Sequence, residues 1–198
     1  MFVLIGAGDC WLRPKSVAHL QDLQMAPFHA LLLLMSAVTN GNGSVSDASS
    51  IEFDEGARAY SRSDWIAAKQ NFEIACAGDV ANACANLGVM NALGQGVTSD
   101  NSVAGAFYLR ACNLGSAVGC SNIGWFFEHG IALRRDPAKA AQFYQLSCNL
   151  NFSLGCRHLG NLHLRGEGVR QDTKLAVAYL TRALELDSDI DRMKIAYP

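Results

Sequence analysis

At 198 residues, half of them apolar, the chain is long enough to build one domain with a substantial core. Sixteen Lys and Arg against eighteen Asp and Glu leave a formal net charge of -2, with no long run of either sign and no interleaving of basic with aromatic residues. That balance argues against nucleic acid as a partner.

Residues 1 to 50 read as leader and flexible linker. Ala30 to Val38 is an apolar run as long as a signal-peptide core and too short to cross a bilayer as a helix, and a small, polar, glycine-containing stretch follows through Ser50. It reads as an export signal, so a periplasmic or secreted location is expected, with no integral membrane span. Cleavage between Gly43 and Ala48 would remove Cys10 and leave six cysteines, an even number. Met25 is a possible start, although it would leave no basic residue ahead of the apolar run. The competing reading is a buried or disordered extension on a cytosolic protein.

Residues 51 to 187 read as a helical array. Order begins near Ile51, with a short helix over Glu55 to Tyr60, and Ser63-Asp64 caps a second helix through Trp65, Ala68, Phe72 and Ala75. This capping hairpin, about residues 51 to 77, shields the first of three repeats, placed at about 64 to 99, 100 to 135 and 136 to 171. Further helices are expected at about Asp79 to Leu93, Asp100 to Leu114, Ser116 to His129, Asp136 to Leu150, Phe152 to Arg165 and Asp172 to Leu186. Residues 172 to 187 form the carboxyl-terminal cap and 188 to 198 a loose tail.

The repeat length comes from the cysteines. Cys76/Cys84, Cys112/Cys120 and Cys148/Cys156 recur every 36 residues, and a period of that size marks a stacked array. Other columns share it: Leu87, Ile123 and Leu159; Gly88, Gly124 and Gly160; Asp100, Asp136 and Asp172.

Those residues carry a resemblance. Ala75-Cys76-Ala77-Gly78, Ala83-Cys84-Ala85-Asn86-Leu87-Gly88 and Gly94-Gln95-Gly96-Val97, with Leu159-Gly160 and Gly166-Glu167-Gly168-Val169, resemble the Sel1-like repeats, and within them the cysteine-rich branch typified by the Helicobacter cysteine-rich proteins. The middle copy departs, with Gly130-Ile131-Ala132-Leu133 in place of a second glycine. The resemblance implies an all-α, right-handed α/α solenoid of the tetratricopeptide type serving as a binding or adaptor module. It also implies a weak penicillin-binding or β-lactamase activity as one alternative, and as another a mitochondrial intermembrane-space assembly factor.

In a hairpin whose turn lies near residue 80, Cys76 and Cys84 stand at the same height on facing helices, which suits a disulfide. The bridge needs Cα atoms about 5.5 Å apart where helix axes ordinarily lie 8–10 Å apart. Ala83, Gly119 and Gly155, with Gly88, Gly124 and Gly160 one turn along, are expected to allow that approach. Metal capture by the thiolates competes, but it would need ligands from two hairpins, and the loops carry no cysteine or histidine.

No catalytic residue is singled out. Ser99-Asp100-Asn101 matches one element of the serine β-lactamases, yet neither Ser-x-x-Lys nor Lys-Thr-Gly occurs, and Asp100 is explained as a helix cap. His158 and His163, five apart, do not share a helix face as paired metal ligands would. Neither metal nor cofactor is expected. Columns that vary between copies are candidates to meet a ligand, namely Asn86, Asn122 and His158, then Trp125 and Asn161, with Arg157 beside them. The plainer alternative packs Trp125 between hairpins with Phe126 or Phe127. The leading functional expectation is a non-enzymatic scaffold whose concave face takes a protein, peptide or cell-wall fragment.

Overall fold

The computed structural model describes residues 45–196, and side chains for 48–188. Cys10, Met25 and the apolar run Ala30 to Val38 lie outside the described residues. Among these residues there are eight helices and no strand: α1 Val45–Ser61, α2 Trp65–Ala77, α3 Ala81–Leu93, α4 Asn101–Asn113, α5 Ala117–His129, α6 Pro137–Asn149, α7 Ser153–Arg165 and α8 Thr173–Ala196.

From α2 to α7 every helix is 13 residues long, and tight turns alternate with longer loops. Local chemistry sets these limits. Asp64, Asp100, Asp136 and Asp172 each accept a hydrogen bond from a backbone N–H in the first turn of the helix that follows. Pro137 takes the first helical position of α6, where no N–H is needed. α3, α5 and α7 end at Gly94, Gly130 and Gly166, all left-handed. The tight turns hold a left-handed residue too, at Asp79, Gly115 and Asn151. Two of these have the short polar side chains that tolerate that conformation best, and the third has none.

Each helix packs on its sequence neighbours, so the chain forms a row of antiparallel hairpins. In addition α3 touches α5 and α5 touches α7, whereas α2, α4, α6 and α8 make no comparable contact with one another. The array therefore bends with α3, α5 and α7 on its inner side.

Three disulfides lock the tight turns. Cys76–Cys84 joins α2 to α3, Cys112–Cys120 joins α4 to α5, and Cys148–Cys156 joins α6 to α7, with Cα–Cα distances of 4.8, 4.5 and 4.5 Å. The helices approach more closely than the spacing alone predicts, and the residue preceding the second cysteine explains it. A Cβ on Gly119 would stand 2.6 Å from Ala111 Cβ and 2.9 Å from the Cys112 nitrogen, and one on Gly155 would stand 2.8 Å from the Cys148 nitrogen. The first bridge, with Ala83 at this place, is the widest of the three.

The other glycine column acts elsewhere. Gly88, Gly124 and Gly160 were expected to permit the approach at the bridge, but they face the helix on the far side, across the longer loop. A Cβ there would stand 2.5 Å from the Tyr108 ring, 2.8 Å from the Tyr144 ring and 2.9 Å from Leu180. They make room for large side chains, of which Tyr108 joins Ile123 and Tyr144 joins Leu159 in successive core clusters.

Both ends run further than the sequence reading. α1 starts at Val45, ahead of Ile51 and inside the segment read as linker, because Ser49, Phe53, Gly56 and Tyr60 fall on one helical face. Ser49 is buried against Gly78, the Gly56 backbone lies against the Phe72 ring, and Phe53 and Tyr60 lie 5.9 and 6.3 Å from that ring. α8 continues to Ala196 through the segment read as tail, which has no glycine and no proline before Pro198.

Candidate functional site

On a helix with 3.6 residues per turn, positions i, i+3 and i+7 share a face. On α5 that face carries Asn122, Trp125 and His129, and on α7 it carries His158, Asn161 and Arg165. α3 contributes Asn86 and Val89. Trp125 is 40% exposed, its ring 4.6 Å from that of His129 and 6.0 Å from Phe126. It rests on its neighbours by one side and offers the other to solvent. His129 is further fixed by a hydrogen bond between Nδ1 and the Trp125 carbonyl, 3.0 Å.

His158 is half-buried and stacks on Tyr144, with centroids 4.7 Å apart and planes 12° from parallel. Burial is the main reason its imidazole titrates below the ordinary histidine range. Arg157, His129 and Arg165 push the same way, and Glu128 opposes them. The ring is accordingly neutral at pH 7. Asn161, Asn122 and Asn86 are half-buried on α7, α5 and α3. Arg157 is separated from this group by its ion pair to Asp187 on α8, 2.7 Å.

Sequence patterning does not single out the residues that tie the face together. Glu128, 9% exposed, accepts a hydrogen bond from Tyr144 Oη at 2.7 Å and pairs with Arg165 at 2.6 Å. Arg165 and Arg135 converge on Glu167, and Arg135 Nε also donates to the Glu128 carbonyl at 2.9 Å. Burial, and next the bond to Glu128, hold the Tyr144 phenol far above the ordinary tyrosine range, so it keeps the proton it donates to Glu128. α5, α6 and α7 are joined through one carboxylate. The available signal was Glu128 itself, a single acid in a column otherwise Ala92 and Leu164.

Chemically, the face offers an aromatic platform, a neutral imidazole and amide side chains above a charge-compensated base. Such a surface suits a ligand that combines flat or apolar parts with hydrogen-bonding groups. The hydroxyl of Ser99, by contrast, donates to the Ala92 carbonyl at 2.9 Å, and Asp100 caps α4. Both are occupied in holding a helix boundary.

The fold is a helical-repeat scaffold locked by disulfides, and no helix among the described residues is long and apolar enough to cross a membrane. The Sel1 repeat model matches residues 81–116, 117–152 and 153–188, and the chain belongs to the Sel1 repeat family. Repeats of this kind generally mediate protein interaction. Among solved structures, a Sel1 repeat protein from Oxalobacter formigenes is 24% identical with a TM-score of 0.64, over 66% of this chain and 54% of that one. A protective antigen of uropathogenic Escherichia coli with an SLR fold is 21% identical with a TM-score of 0.65, over 81% of this chain and 33% of that one. Helicobacter pylori cysteine rich protein B is 26% identical with a TM-score of 0.48, over 74% and 93% of the respective chains. The chain thus spans about half and a third of the length of the first two, whose likeness establishes the fold. No curated protein matches it.

Proposed function

We infer that this protein is an exported, non-enzymatic adaptor whose inner face, centred on Trp125, holds a polypeptide or cell-envelope ligand. The observation that carries this reading is the half-exposed Trp125 ring beside His129 on α5, with His158 and Asn161 on the equivalent face of α7. Large aromatic side chains that keep one face in solvent and one on a rigid support are the residues around which binding energy concentrates. The support is rigid because the Glu128 network and the Cys112–Cys120 and Cys148–Cys156 bridges surround it. Export is favoured because disulfides persist outside the reducing cytosol, and Ala30 to Val38 has the length of a signal-peptide core.

A pull-down from envelope extract, with the oxidised protein and its Trp125→Ala and Asn161→Ala variants as baits, tests the assignment. Partners lost by both variants and kept by the wild type support it, and equal recovery in all three removes the patch. Turnover of nitrocefin by the purified, oxidised protein would replace the adaptor reading with a hydrolase.

A further inference from the structure

Ile123 and Phe127 lie, at about 100° per residue, on the opposite side of α5 from Asn122, Trp125 and His129. There a cleft of about 240 Å³ opens between α4, α5 and the loop after α5, lined by Gly105, Leu109, Ile123, Phe127 and Leu133. Thirty-six positions along the chain a second cleft of about 530 Å³ is lined by their equivalents Ala141, Gln145, Leu159, His163 and Val169. Between them a third, of about 690 Å³, shares Phe127 and Leu133 with the first and Ala138 and Gly168 with the second. The three form one groove along two successive repeats.

Its ends and its middle differ in character. The ends are mainly apolar, and the middle carries Arg134, Arg135 and Lys139 with a single acid, Asp136. Arg135 is paired with Glu167, and Lys139 stands 3.8 Å from Asp136, with its ammonium 5.3 Å over the Phe127 ring. Arg134 is exposed and makes no hydrogen bond or ion pair among the described residues. Small residues leave the space for this groove. In the first repeat Lys69 stands where Gly105 and Ala141 stand later, and Trp65 closes against the Gly96 backbone.

We propose that this groove binds an extended acidic peptide segment of a partner protein, its carboxylates on Arg134 and Lys139 and an aliphatic side chain in each flanking cleft. Charge complementarity selects the centre and apolar burial the ends. A polyproline-type chain returns to the same side every third residue. Leucines three apart with two acids between them match that period. The site is separate from the inner face, and neither depends on the other.

The test is fluorescence anisotropy with a labelled peptide containing Leu-Glu-Glu-Leu and a control with Leu-Gln-Gln-Leu, each titrated with the oxidised protein. Saturable binding of the glutamate peptide, about tenfold weaker for the glutamine control and for Arg134→Glu/Lys139→Glu, is expected. Gly105→Leu, checked for retained helicity by circular dichroism, should weaken it similarly by filling the first cleft, where an added Cβ meets only the Phe126 ring, at 3.5 Å and beyond. Trp125→Ala should leave it unchanged. No saturation below about 1 mM, equal affinity for both peptides, or no loss in the charge-reversed variant overturns the proposal.

Discussion

Ala132 adopts a left-handed conformation, φ 54°, at the place where the flanking repeats have Gly96 and Gly168, both at φ 70°. A residue with a Cβ is disfavoured there by about 1–2 kcal/mol, partly offset by the greater chain entropy of an unfolded glycine. Its methyl group lines the first cleft, so steric crowding does not forbid it. Ala132→Gly should therefore stabilise the protein by about 0.5–1 kcal/mol, raising Tm by about 2–3 °C. A thermal melt checks it, and a lowered Tm would contradict it. His158 gives a pH dependence. Its folded imidazole titrates below the unfolded one, which titrates near about 6.5, so below that pH the unfolded chain binds more protons. The contribution is complete above the unfolded value and is lost as pH falls through the folded one. Urea midpoints at pH 7.5 and 5 should show a larger drop for the wild type than for His158→Phe, which keeps a ring on Tyr144. Equal drops would assign the dependence to other groups. The cysteines and capping aspartates could be read from sequence because one residue type recurs in one column. Ser99, Arg135 and Gln171 also form a column, each donating a side-chain hydrogen bond to the carbonyl of Ala92, Glu128 or Leu164. Three unlike side chains make the same bond, so identity gave no sign of it.

From α2 to α7 helix positions followed from the sequence to within a few residues, since caps and breakers act locally, whereas α1 and α8 run well beyond their readings. The two glycine columns were harder to assign, because the same residue type serves two different contacts. Gly119 and Gly155 bring bridged helices together, while Gly88, Gly124 and Gly160 receive side chains from the opposite neighbour. Spacing along one helix cannot say which neighbour a glycine faces. Gly119→Ala tests the assignment. The added Cβ meets backbone at 2.9 and 3.0 Å as well as Ala111, and backbone does not yield easily. Overpacking should cost about 1–3 kcal/mol, less the roughly 1 kcal/mol that alanine gains over glycine within a helix. A net loss of about 1 kcal/mol in urea unfolding is expected, and a gain would show that the helices can part freely. The candidate residues divide between two places. Asn122, Trp125, His158 and Asn161 do gather on the inner side, but Arg157 turns to Asp187 on the last helix, a pairing that depends on how far α8 extends.

Across the whole molecule the bridges provide a stabilising contribution comparable with the net stability of a domain. Each cysteine pair is separated by 8 positions, and closing so short a loop is worth about 2.5 kcal/mol on the chain-entropy model. Three of them stand against a typical net stability of about 5–15 kcal/mol. Reduction should lower the urea midpoint severely, and denatured, unreduced protein should yield no free thiol from the six repeat cysteines. A midpoint unchanged by reductant would make the bridges incidental. Because each bridge closes one tight turn between consecutive helices, every thiol's correct partner is also the nearest one along the chain. Oxidation is therefore expected to proceed pair by pair, in the order of synthesis, with native links formed first and little call for a shuffling catalyst.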